Sequence, residues 1–122
     1  MSILDQIVAL SPYPRPCQAL LDWMGENHAQ ALAELIELGE MNQVDLTFAA
    51  EAMGLNGDLA LVCDTLGPLL AHPNPLVREG AIYGLEHHLY DPQVKRLLQE
   101  AHARETNETI KGILRNTLRG MS

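Results

Sequence analysis

Residues 66–85 read Leu66-Gly67-Pro68-Leu69-Leu70-Ala71-His72-Pro73-Asn74-Pro75-Leu76-Val77-Arg78-Glu79-Gly80-Ala81-Ile82-Tyr83-Gly84-Leu85. A leucine-rich segment runs into a turn held by Pro73 and Pro75, and a second apolar segment leaves it. Pro75 suits the first turn of a helix, where its missing N–H is not needed. Val77, Ala81, Leu85 and Leu89 then recur at the spacing of one helix face. Before the turn, Leu59, Leu61, Val62, Leu66, Leu69 and Leu70 mark a partner helix over 58–71. The stretch predicts a helical hairpin.

The same pattern holds on both sides. Ala29, Leu32, Leu35, Ile36 and Leu38 mark a helix ending near Gly39, and Val44, Phe48, Ala52 and Leu55 mark the next. Asp91-Pro92 opens a helix with an aspartate cap and a proline at its first position. Val94, Leu97, Leu98 and Ala101 line that helix, and Ile110, Leu114 and Leu118 line the last. Toward the N-terminus, a short helix is expected over about 2–10, then an extended segment at Ser11-Pro12-Tyr13-Pro14-Arg15-Pro16. Cys17, Leu20, Leu21 and Met24 mark one more short helix. No run alternates strictly, so no strand is expected. The 122 residues suit one domain, and 21 leucines with only 4% aromatics favour packed helices.

An internal period ties the hairpins together. Val44, Val77 and Ile110 lie 33 residues apart, and Phe48, Ala81 and Leu114 follow in register. Ala52, Leu85 and Leu118 continue the series, then Leu55, His88 and Met121. A lone hairpin cannot bury its apolar face, so neighbours must stack. The expected fold is all-α: a short α-solenoid of about three helical hairpins with an N-terminal helical cap. Residues 1–27 form the cap and entry segment; 28–56, 57–90 and 91–122 form the repeats.

Pro68, Pro73, Pro75, Val77 and Arg78, with the surrounding leucines, resemble a HEAT repeat. More narrowly, they resemble the short bacterial HEAT-like repeats of the bilin-lyase type. The resemblance is strongest over 58–90 and extends in part over 92–119. It implies stacked helical pairs and specifies no activity, because the repeat serves many roles. His72 and Asn74 stand where the family's turn usually has an aspartate. One period before Arg78 lies Asp45, so an Asp45–Arg78 ion pair between adjacent second helices is an expectation.

Charge is unevenly spread. The chain carries a net −8, and residues 1–61 hold nine acids against Arg15 alone. Residues 62–122 hold seven of each sign. Such a balance disfavours nucleic acid, which needs clustered Lys and Arg, and would steer a basic protein inward. Opposite the apolar stripe fall Leu46, Ala50 and Met53 in the first repeat, and Glu79, Tyr83 and Glu86, with Tyr90 beyond, in the second. Second helices usually line the binding side of a solenoid. The candidate partner-binding residues are therefore Leu46, Met53, Glu79, Tyr83, Glu86 and Tyr90, with Tyr83 as the anchor.

Chemistry is sparse. His28, His72, His87, His88 and His102 show no ligand spacing, so no metal and no cofactor are expected. Cys17 and Cys63 form no paired motif. Burial beside Asp64 should raise the Cys63 thiol. No phosphate loop or serine elbow occurs, so no catalytic residue and no enzyme are expected. No run is long enough to span a membrane. Met1–Leu10 contains Asp5 and no Lys or Arg, unlike a signal peptide, which suggests the cytoplasm.

The functional expectation is a non-catalytic protein-binding module. A small inhibitor or immunity-type protein that neutralises a basic partner fits the charge. Alternatives are an accessory or lyase-like HEAT protein acting on a bound cofactor, or a terminal scaffold subunit of a larger assembly. Ile110, Ile113 and Leu114 have no following repeat, so a homodimer through the C-terminal hairpin is also an expectation.

Overall fold

The computed structural model describes residues 18–39, 41–56 and 58–120, with side chains from Leu21 onward. Among these residues the chain is helical throughout, with no strand. Seven α-helices follow in order: α1 (Gln18–Asn27), α2 (Ala29–Leu38), α3 (Gln43–Asn56), α4 (Leu59–Leu66), α5 (Pro75–Leu85), α6 (Pro92–Arg104) and α7 (Glu108–Arg119). Two 3₁₀ turns, Pro68–Ala71 and Glu86–His88, extend α4 and α5. The helix expected over 2–10 and the proline segment 11–16 lie outside the described residues, as do Cys17 and Met121.

Side-chain caps set most helix starts. Asp58 accepts the Leu61 N–H (3.0 Å), and Asn74 accepts the Leu76 N–H (2.8 Å). Asp91 accepts from Gln93 (2.8 Å) and Val94 (3.2 Å), and Asn107 from Thr109 (2.9 Å) and Ile110 (3.1 Å). Each satisfies N–H groups that a first turn leaves without partners. Gly39 ends α2 at φ 69°, the left-handed geometry that only glycine adopts at no steric cost. The expected helix 58–71 divides at Gly67: Pro68 has no N–H to continue the ladder, so the chain tightens into a 3₁₀ turn.

Alternate helices lie side by side. α1 packs on α3, α3 on α5 and α5 on α7, while α2 packs on α4. The closest approach is between α3 and α5, which run parallel. A Cβ on Gly80 would sit 2.8 Å from the Thr47 carbonyl oxygen, and one on Gly84 2.6 Å from that of Ala50. A Cβ on Gly54 would overlap the Gly84 backbone. Glycine and alanine let the two backbones meet, and Met53, Leu66, Ile82 and Leu85 fill the core around them.

This approach corrects the register of the first repeat. Leu46, Ala50 and Met53, expected to face outward, are buried, while Val44 and Leu55, expected inside, are 57% and 61% exposed. Phe48 and Ala52 keep their inward positions in part: Ala52 is buried and Phe48 half-buried. α3 is flanked by α1 on one side and α5 on the other, so its small residues turn inward. Its buried positions Leu46, Ala49, Ala50, Met53 and Gly54 recur 31 residues later as Val77, Gly80, Ala81, Gly84 and Leu85. From α5 to α7 the step is 33: Val77, Ala81 and Gly84 become Ile110, Leu114 and Thr117.

The expected Asp45–Arg78 pair is also corrected. Asp45 bonds to Asn42 beside it, through its own N–H (2.8 Å) and its carboxylate (2.9 Å). Arg78 reaches instead to Glu105: Nε donates to Oε2 at 2.9 Å and Nη2 to Oε1 at 3.0 Å. Its Nη1 donates to the carbonyls of His72 (2.8 Å) and Pro73 (3.2 Å). Through Arg78, Glu105 is thus tied to the 72–73 turn.

Candidate functional site

Four acids, Asp22, Glu51, Glu79 and Glu86, lie near one another on α1, α3 and α5 with its extension. Asp22 on α1 is exposed; Glu51 on α3 and Glu79, Tyr83 and Glu86 at α5 and its 3₁₀ extension are half-buried. Burial raises the Glu51 carboxyl above its ordinary value; the charges of Glu79 and Asp22 add to this, and His87 opposes it. The Glu79 carboxylate, one turn before Tyr83 on α5, favours the protonated phenol and raises its pKa. Burial and the charges of Glu79, Glu86 and Glu51 act in the same direction. The arrangement is an aromatic ring set among carboxylates from two neighbouring helices.

Of the six residues expected to bind a partner, Glu79, Tyr83 and Glu86 stand together here. Leu46 and Met53 are core residues and present nothing to solvent. Tyr90 is 80% exposed beyond the end of α5, its ring 6.3 Å from that of His88. Sequence reading missed Asp22, Glu51 and His87 as members of this face. They were visible only as acids and a histidine on helices; the packing of α3 on α5 is what brings Glu51 near Glu79.

Next to this face lies an open groove of about 330 Å³. Glu86, Leu89, Ile113, Asn116, Thr117 and Gly120 line it, so it separates the end of α5 from α7. Across it, the Thr117 hydroxyl donates to Glu86 Oε1 at 2.8 Å. Gly112 adds no bulk on α7: a Cβ there would meet nothing within 4 Å.

The remaining reactive side chains are dispersed. His88 is half-buried at the core margin, as its column implied, and its Nε2 lies 2.8 Å from the Gly54 carbonyl oxygen. Cys63 is buried, and burial, then Asp91 and Asp64, push its thiol up. Among the described residues, no three His, Cys, Asp or Glu side chains gather as a metal would require. Nor is any described helix long and apolar enough to cross a membrane. Comparison with known proteins gives no match: no family model, no curated protein and no solved structure aligns with this chain.

Proposed function

We propose that the chain is a short HEAT-like α-solenoid that binds a basic protein without catalysis, as an inhibitor or immunity-type protein does. The side-by-side row α1–α3–α5–α7, with α2 against α4 on the other layer, supports the solenoid reading. So do the turn prolines and Arg78. One arrangement carries the functional reading: Glu79, Tyr83 and Glu86 share one side of α5 and its extension, and Glu51 lies on the helix packed beside it. A half-buried tyrosine among carboxylates offers a flat apolar contact and several acceptors for lysine or arginine. The net charge of −8 adds long-range steering toward a cationic partner.

The test is capture from the host's own extract by the wild-type protein and by a Glu51→Gln/Glu79→Gln/Glu86→Gln variant. The expected result is a basic protein retained at low salt, released as salt rises, and lost from the triple variant. Tyr83→Ala should weaken it tenfold or more, as anchor residues do. Equal retention by wild type and triple variant rejects this face.

A further inference from the structure

Resting on that reading, we propose that the partner enters as a basic amphipathic helix whose apolar side chain fills the groove between Leu89 and Ile113 while its cations lie on Glu79 and Glu86. Glu86 belongs to both features: it lines the groove and its charge acts on Tyr83. The acidic face and the groove are therefore one continuous surface, apolar at one end and anionic at the other. A ligand that matches it needs an apolar group and a cation on the same side. Residues three or four apart on a helix meet that need.

The groove is shallow and open, an apolar strip against which a side chain can lie. Its walls are the apolar Leu89 and Ile113, and its polar groups lie along α7 and at Glu86. Thr117 and Glu86 satisfy each other at 2.8 Å, so an incoming apolar group strands neither of them. About 330 Å³ admits one large aliphatic or aromatic side chain. Charge excludes an acidic helix from this place, because it would bring carboxylates against Glu79 and Glu86.

The probes are two synthetic helical peptides of equal charge. One carries lysines with leucines at i, i+4 spacing; the other carries the same lysines with alanines. Binding is followed by amide and methyl chemical shifts. The expected result is that the leucine peptide moves Leu89, Ile113 and Thr117 together with Glu79 and Tyr83, whereas the alanine peptide moves only the acidic face. Ile113→Asp should reduce affinity for the leucine peptide roughly tenfold or more, the loss of one buried apolar side chain, and should not weaken the alanine peptide, whose lysines the added carboxylate attracts. Shifts confined to the acidic face with both peptides overturn the groove while leaving the basic-partner reading in place. Binding of neither peptide overturns both. Self-association of the free protein that Ile113→Asp abolishes assigns the groove to a second copy and overturns the helix proposal.

Discussion

Arg78 and Glu105 are 27 residues apart and join two turns of the chain through a forked pair, Nε to Oε2 at 2.9 Å and Nη2 to Oε1 at 3.0 Å. Their side chains are 15% and 4% exposed. The same guanidinium holds the carbonyls of the 72–73 turn, and the same carboxylate accepts the N–H groups of Thr106 (3.1 Å) and Asn107 (3.0 Å). The pair organises backbone on both sides of it, which a surface ion pair does not do.

Removing one partner strands the other in a place with little water. Arg78→Ala should cost about 3 kcal/mol of stability by urea denaturation, because it leaves a buried carboxylate uncompensated. Arg78→Lys should recover only part, since an ammonium cannot reproduce the fork. A loss under about 0.5 kcal/mol for Arg78→Ala, the range of ordinary surface substitutions, would show that the pair is idle.

The pair also sets a pH dependence. Burial works to raise the Glu105 carboxyl, but the Asn107 N–H, Arg78 and the Thr106 N–H outweigh it and hold it below its ordinary value of 4.5. The folded value is the lower one. Glu105 therefore stabilises the fold fully above pH 4.5, and that contribution is lost as pH falls through the lower folded value. Wild type should lose stability more steeply than Glu105→Gln in that acid window. Parallel curves for the two proteins would contradict this.

Glu51 has the opposite sign. Its folded value lies above its ordinary 4.5, chiefly through burial, with Glu79 and Asp22 adding to it. The neutral form suits the fold, so its contribution is present below pH 4.5 and lost as pH rises through the raised value. Glu51→Gln should therefore melt higher than wild type at pH 7, with the gain vanishing near pH 4.5. The same variant should bind the basic partner more weakly. Higher stability with weaker binding is the signature of a carboxylate kept for function.

Three glycines should respond in opposite ways to one methyl group. Gly54→Ala and Gly84→Ala force the α3 and α5 backbones apart and should each cost about 2 kcal/mol. Gly112→Ala meets open space inside α7 and should gain about 0.5–1 kcal/mol from helix propensity alone. Thermal melts of the three variants check both signs at once.

Much of the framework was readable from single residues. Asp91-Pro92, Pro75 and Gly39 each set a helix end by local chemistry, and the structure has ends there. The asparagines carry a further local signal: Asn42, Asn74 and Asn107 precede α3, α5 and α7 and each accepts a first-turn N–H. The asparagines are 32 and 33 residues apart, close to the steps of 31 and 33 between the buried positions of α3, α5 and α7. Half of the candidate face was legible, because Glu79, Tyr83 and Glu86 belong to the hairpin whose register was read correctly.

Sequence alone determined that the described chain is helical and where several of its helices begin, because capping, proline geometry and apolar spacing act within a few residues. Tertiary structure decided which way α3 is rotated and which carboxylate answers Arg78. Val44 and Phe48 are more hydrophobic than Ala49 and Ala50, yet α3 meets α5 through Ala50 and Gly54, where only small residues let the backbones close. That choice depends on the shape of a helix about thirty residues away, which no local pattern in α3 encodes.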